Sequence, residues 1–495
     1  MRRKKRNSAN ARNAEPRQRL AQLAPTRLAR RFDNRYDAAQ TTDENRRHWA
    51  AADALSADAA NSLSVRSYLR NRARLEIANN CYAKGIVETL ANDEIGTGPT
   101  LQIQTQNANF NRMVERRWSE WSAAIGLPQK LRTIVKARIG DGEGFAQFVT
   151  NRRLPDDGPQ LDLWLLECDQ VTSPYMAMLE NNKVDGVAFD QYGNPISYDV
   201  LTAHPGGLDI IAGYQARSVP AAYMLHLFRV DRPGQHRGIP EITPALGLFA
   251  QLRRLTEAIL AAAETAADMA ILLKTAMNAN AEVDSVVPLS TIDFERRMMT
   301  ALPYGWEAYQ VDPKQPPPGY KEFKRELLNE IARCLNVPYN VAACNSSEYN
   351  YASGRLDHQV YYRSLAVNRS HIESVLLNRI FAMWFLEAAK VYRWSVDAQP
   401  VPPHQWFWQA LEHVDPRLVA EAQQIGLQCG FTGIPEIYAT KGADYETAQE
   451  ASAKALGISV EEYRTLLRQK LFGVPGVSES PTSTSSREPP LTGEE

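Results

Sequence analysis

The sequence contains eight histidines and five cysteines, the side chains that most often carry metal and nucleophilic chemistry. His48, His204, His226, His236, His358, His371, His404 and His413 never fall at the helical spacing that would bring two ring nitrogens onto one metal ion. Cys81, Cys168, Cys334, Cys344 and Cys429 stand singly, with no C-x-x-C pair, and read as buried reduced thiols. Cys344 and His358 come nearest to a nucleophile with its base. A cysteine enzyme needs those groups to meet in a cleft beside a third, orienting residue, and nearness along the chain does not supply that. Gly140-Asp141-Gly142-Glu143-Gly144 lacks the Lys-Ser/Thr of a phosphate loop and the regular oxygens of a calcium loop, so a turn is the favoured reading. No Walker A, G-x-G-x-x-G, H-E-x-x-H or G-x-S-x-G pattern occurs. The aromatic group Trp384, Phe385, Trp394, Trp406, Phe407 and Trp408 has the chemistry to stack on bases, but few cations interleave it and a buried core is favoured. These readings predict a chain with no catalytic residues, no cofactor and no metal.

The bulk properties narrow the classes further. A length of 495 residues exceeds what one core usually supports, so two or more packed regions are expected. With 44% hydrophobic and 23% charged residues the composition is that of a soluble globular protein, neither disordered nor membrane-embedded. The net charge of -1 excludes a polycation that coats nucleic acid through phosphate neutralisation. Residues 1–31 nevertheless hold eleven Lys or Arg against the single acid Glu15. This arm reads as a solvated terminus, or as an electrostatic hook for nucleic acid or an acidic scaffold partner. No apolar run follows it, so the signal-peptide reading fails and the protein is expected to stay in the cytoplasm during synthesis.

The hydrophobic periodicity predicts helices over residues 36–92, then a short strand at Leu101, Ile103 and Thr105, and helix again from Phe110 to Ala124. From about Ile139 the period shifts towards two, with strands at Gly142–Val149 and Leu161–Leu165 and a hairpin of Val184–Phe189 against Pro195–Val200. A long helix is expected from Glu241 to about Thr275, a rod of about 50 Å. Arg253, Arg254, Glu257, Glu264, Asp268 and Lys274 make it a soluble helix, not a membrane span. Prolines break residues 278–318 into an irregular insertion. Further helices are expected at Tyr320–Leu335, at about Ser353–Ala389 and across Pro416–Lys470, before a Ser-, Thr-, Pro- and Glu-rich tail from Ser478.

Three stretches stand out in order. They are VDGVAFDQYGNPISY from Val184 to Tyr198, VPAAYMLHLFRVDRPGQHRGIP from Val219 to Pro240, and a group formed by YKEF from Tyr320, IARCLNVPY from Ile331 and NYASGR from Asn350. Together they resemble the lambda-like family of tailed-bacteriophage portal proteins over most of residues 36–395. The second is the most specific. Asn336 stands where the family usually has Gly, and Cys344 to Glu348 replace a more common Asp-containing stretch.

The resemblance implies an α+β, mainly helical portal-type subunit with wing, stem, clip and crown regions, one of a homododecameric ring at a capsid vertex. On that pattern residues 1–35 form a basic disordered arm, 36–240 the wing, 241–276 a stem helix, 277–319 the clip and 320–344 a returning stem helix. Residues 345–353 become a tunnel loop, 354–415 a long wing helix and connection, 416–472 a helical crown and 473–495 a disordered tail. Asn345, Ser346, Ser347, Glu348, Tyr349, Asn350 and Tyr351 are the residues the resemblance places facing DNA. It further implies as partners the terminase large subunit, head-completion or connector proteins, a major capsid or scaffold protein, and non-specific double-stranded DNA in the channel, with no membrane. The location implied is the virion, with the host cytoplasm during assembly. A DNA-binding capsid scaffold working through the basic arm, and a Cys344–His358 hydrolase, are the competing readings.

Overall fold

A computed structural model describes residues 43, 46–173, 182–207, 215–268, 272–275, 306–309, 318–347, 350–394, 401–409, 416–440 and 445–472. The expected basic arm, the tail, most of the expected clip, and Glu348 and Tyr349 of the expected tunnel loop lie outside these residues. The chain divides into two units, residues 1–59 and 60–495. In the first, the described residues run as turns, with Asp53 accepting from the Leu55 N–H and Ser56 from the Ala59 N–H. The expected helix across Ala50–Ala60 is therefore only a single turn, Ala57–Ala60.

The second unit is α+β and mainly helical. Helices α1 (Leu63–Asn79) and α2 (Cys81–Ile95) are separated only by Asn80, whose side chain accepts from the Tyr82 and Ala83 N–H groups and so starts α2 at once. Strand β1 (Thr100–Ile103) leads to α3 (Ala108–Ala124) and α4 (Leu127–Asp141). Strand character was expected from about Ile139, yet α4 runs to Asp141. Gly142 closes it at φ +94°, a left-handed conformation open to glycine, and strand β2 (Glu143–Thr150) follows directly.

Strand β3 (Leu161–Leu166) and β8 (Met224–Phe228) pair antiparallel on either side of β2. A second antiparallel sheet holds β4 (Lys183–Val184), β5 (Val187–Phe189), β6 (Pro195–Leu201) and β7 (Ala216–Pro220) in sequence order. The expected single strand Val184–Phe189 is thus two strands. Asp185 (φ +42°) and Gly186 (φ +81°) form the two-residue turn between them, the Asp-Gly chemistry of a tight hairpin.

The expected helix from Glu241 to Thr275 is shorter at both ends. Pro244 lies in a 3-10 turn, Thr243–Ala245, and α5 runs from Leu246 to Asp268. Beyond it, Leu272–Thr275 is strand β9, paired antiparallel with β10 (Trp306–Tyr309), so cross-strand hydrogen bonding overrides helical propensity there. The expected helix Tyr320–Leu335 is α6 (Tyr320–Cys334), and a short helix α7 (Tyr339–Ala343) follows it as a separate piece, because Asn336 turns left-handed at φ +54° and Pro338 cannot continue a helix.

Helix α8 (Tyr351–Ile372) passes through one π-helical turn, Glu373–Leu377, into α9 (Asn378–Val391). Strand β11 (His404–Phe407) returns to pair with β1. Four helices close the described chain: α10 (Pro416–Gln428), α11 (Ile434–Thr440), α12 (Tyr445–Leu456) and α13 (Val460–Phe472). The aromatic residues fill the core as expected, with Trp118 packed 4.9 Å from Trp121 and 5.2 Å from Trp384, all three buried. The cysteines are not uniformly buried: Cys168 is, whereas Cys81, Cys344 and Cys429 are exposed. Among the described residues no helix is long and apolar enough to cross a membrane.

Candidate functional site

Residues 345–347, the described start of the expected tunnel loop, are positioned by the way α6 stops. The Val337 N–H donates to the Ala332 carbonyl at 3.0 Å and the Asn336 N–H to that of Arg333 at 3.2 Å, a Schellman arrangement that uses up the last free carbonyls of α6. Five residues of α7 follow, and Cys344, left-handed at φ +51°, ends them. The Asn345 N–H donates to the Asn340 carbonyl at 3.0 Å, and the Asn345 side chain accepts from the Ser347 N–H at 3.0 Å. Asn345, Ser346, Ser347 and Asn350 are exposed. At the far side the Asn350 carbonyl accepts from the Gly354 N–H at 3.0 Å, inside the first turn of α8, which Tyr351 opens.

Both shoulders of this loop are tied down. The Asn340 amide of α7 lies 3.1 Å from His358 Nε2 of α8. The buried Tyr361 hydroxyl donates to Asp93 of α2 at 2.6 Å, and burial together with that carboxylate raises its pKa, so it remains a neutral donor. Asn368 donates to Glu94 at 2.7 Å, while Arg369 caps the Asp93 and Glu94 carbonyls at 2.8 and 3.1 Å at the C-terminal end of α2. Glu94 in turn accepts from Arg138 of α4 at 2.8 Å, and Arg138 meets Glu241, just before α5, at 2.8 Å. Burial opposes the Arg138 charge, but Glu94 and Glu241 outweigh it and raise its pKa. Burial also raises Glu241, against the pull of Arg138. One run of charge therefore joins the helix after the loop to the entry of α5.

A second ionic junction lies under α1, and sequence reasoning missed it. The buried face of this helix carries Arg66, Arg70, Ala73 and Glu76. Arg66 pairs with Asp185 and donates to the Asn61 carbonyl at 2.6 Å; Arg70 pairs with Asp169 at 2.9 Å; Arg74, half-buried, pairs with Asp141 at 2.7 Å. Glu143 of β2, fully buried, accepts from Arg237 at 2.8 Å and from His226 at 2.9 Å, and Arg237 also donates to the Val171 carbonyl at 3.0 Å. Burial alone would raise the Glu143 carboxyl; Arg237, His226 and Arg66 outweigh it and hold it well below the usual carboxylate range. Burial lowers His226 and, joined by Arg237, lowers Arg66 to about 10. The junction pins the Asp185–Gly186 turn of the four-stranded sheet to α1 and β2. The signal for it was present: Arg66, Arg70 and Arg74 recur every fourth residue in a helix whose only acid is Glu76, so their partners had to come from elsewhere.

The structure brings no catalytic set together at the residues singled out for chemistry. Cys344 is exposed, and His358 engages Asn340 and lies beside Tyr362. Glu167, Asp169 and His204 do place three ligand-type atoms within 4.8 Å of one another. Arg74 already sits 3.3 Å from Glu167 and 2.9 Å from Asp169, however. The Gly206 N–H donates to His204 Nδ1 at 3.0 Å, which leaves the ring proton on Nε2, the atom that faces both carboxylates. The two carboxylates thus already share the Arg74 cation, and the cluster is poorly suited to a metal ion.

Residues 43–369 match the family described as phage portal protein, lambda family, and the chain belongs to that family. Among solved structures it is similar to a chain in the virion of a native gene transfer agent particle, with 16% identity and a TM-score of 0.43 over 75% of this chain and 92% of that one. A chain in the neck of an empty gene transfer agent particle is similar at 16% identity and a TM-score of 0.44, covering 74% and 91%. An HK97-family phage portal protein from Corynebacterium diphtheriae is similar at 14% identity and a TM-score of 0.31, covering 61% and 89%. No curated protein matches the chain.

Proposed function

We propose that the chain forms a closed homododecameric ring at one capsid vertex, that double-stranded DNA passes through its channel during packaging and ejection, and that residues 345–351 face that DNA. The observation that carries the reading is the chemistry of the loop. From Cys334 to Gly354 the sequence contains no Lys or Arg, and the loop itself offers Asn, Ser and Tyr with the single acid Glu348. Affinity for duplex DNA comes chiefly from cations neutralising phosphates, so a surface of this kind touches DNA without gripping it. Loop ends fixed to each other through Asn340–His358 and to α2 through Tyr361–Asp93 hold such a surface at a constant radius.

On this reading residues 36–240 form the wing, α5 a stem rod, 277–319 the clip, 320–344 the returning stem and 416–472 the crown. The clip end meets the terminase large subunit during packaging and head-completion proteins afterwards, while capsid or scaffold protein surrounds the wing. Assembly begins in the host cytoplasm and ends in the virion. The portal works without catalysis of its own, as a structural conduit. Electron micrographs of the purified full chain, viewed along the symmetry axis, test the proposal. Closed rings with a central hole of duplex width support it; monomers or dimers at high concentration overturn it.

A further inference from the structure

Helix α1 is built inside out. Its inward face carries the paired Arg66, Arg70 and Glu76, while Val65, Tyr68 and Leu75 point outward and are between 40% and 68% exposed, with Arg72 among them. Helix α8 shows a matching outer stripe: Leu356, Val360 and Val367 are between 51% and 68% exposed, with Arg363 among them. Both stripes follow the three–four spacing of a helix-packing seam, and each runs about 15 Å at 1.5 Å per residue. An apolar stripe of this kind on an outer surface marks a contact with another molecule.

We propose that α1 of one subunit packs antiparallel against α8 of the next copy around the ring. The proposal rests on the ring reading and adds the contact that builds it. A cyclic ring of identical chains uses two different faces of each chain, one meeting the other on the neighbour, and these two stripes are such a pair. The direction follows from charge. A parallel alignment would set Arg72 against Arg363. The antiparallel one brings Val65 to Val367, Leu75 to Leu356 and the Tyr68 ring to the Arg363 guanidinium, an attractive cation–π pair, while Arg72 falls beside Val360 and Asp357. Covering the outer face of α1 also places its inner arginines between two packed layers, so the ionic junction of Glu143 lies directly behind the subunit contact.

The test uses the full chain with the exposed Cys81, Cys344 and Cys429 replaced by Ser. Leu75→Cys and Leu356→Cys are introduced together and separately, and a short bismaleimide is added. The double variant is expected to give a denaturation-resistant ladder of multimers ending in a closed ring, with each single variant remaining monomeric on the same gel. Rings visible in micrographs together with a double variant linked no better than the singles would overturn the pairing while leaving the ring reading intact. Absence of rings from the parent chain removes both. As a second measurement, Tyr68→Asp and Val360→Asp are each expected to lower the ring fraction at least tenfold with the circular dichroism unchanged. If rings persist and only incorporation into capsids is lost, the stripe meets capsid protein and the pairing is wrong.

Discussion

Arg237 Nε donates to Glu143 Oε2 at 2.8 Å, and neither side chain retains any exposure to solvent. The pair joins the segment that precedes α5 to the central strand β2, with Arg66 of α1 and His226 of β8 completing the surroundings of the carboxylate. Removing one partner of a buried ion pair strands the other charge. Glu143→Gln is therefore expected to cost about 3 kcal/mol or more of stability, measured by denaturant unfolding of the dissociated subunit. A loss below about 1 kcal/mol would show the cluster to be far better hydrated than its burial implies.

The same cluster predicts a direction for pH. Burial keeps the folded His226 neutral, so as pH falls below about 6.5 the unfolded chain takes up a proton that the folded one resists, and stability declines. Glu143 adds a second decline below about pH 4.3, where the unfolded carboxyl protonates and the folded one does not. Glu241, raised by burial, acts oppositely: its contribution is lost as pH rises through its folded value. Melting temperatures recorded from pH 7 to 5 should fall for the parent chain and fall less for His226→Gln, the remainder coming from His371, which burial also lowers. Parallel curves would remove His226 from the account.

Tyr361→Phe deletes one hydrogen bond and leaves the Asp93 carboxylate without that donor. A loss of about 1–2 kcal/mol is expected, together with faster hydrogen exchange at Asn345–Ser347, because α8 would then be less firmly held to α2. Unchanged exchange in the loop would disconnect it from this anchor.

Ser346→Lys with Ser347→Lys changes the segment 345–351 from one acid and no base to a net positive charge. Rings should form as before, while DNA binding by the ring gains a steeper salt dependence and passage of DNA slows. Packaging assays at two salt concentrations read both effects. An unaltered salt slope would place these side chains away from the DNA.

Gly142→Ala forces a side chain onto a residue at φ +94°, where a Cβ would lie 2.6 Å from the Ile239 carbonyl carbon. Strain of this kind costs about 1–3 kcal/mol before any clash is counted, and the clash is with backbone that cannot swing aside. A drop in melting temperature larger than that of Gly247→Ala, where a Cβ meets open space, is the expected result.

Much of the fold was legible because periodicity reports packing. The alternation in Leu161–Leu165, the aromatic core around Trp384 and the helical runs at Tyr320 and Pro416 all reflect which side of an element meets the interior. The errors have equally physical origins. Helix α4 carries Leu131, Ile134, Val135 and Arg138 at helical spacing, but Gly126 and Pro128 at its start disguise it, although proline is tolerated in a first turn. Strand β9 was read as helix since its partner β10 lies some thirty residues on, and no local pattern records so distant a pairing. The anchoring of α8 next to residues 345–347 left no local pattern, because Asp93 and Tyr361, which meet in the fold, lie far apart in the chain. The ionic junction was hidden for the same reason: arginines look like surface residues until the acids that neutralise them are located.

The π turn at Glu373–Leu377 sets the phase of the longest helical run among the described residues. An inserted residue in a helix rotates everything after it by about 100°. The π turn takes up that rotation, so that Tyr361, Leu365 and Ile372 before it and Phe381, Trp384 and Phe385 after it are all buried, Phe381 and Trp384 against Trp118, while Leu356, Val360 and Val367 stay exposed. This small irregularity therefore lets one long rod keep a single side against the interior on both halves of its length.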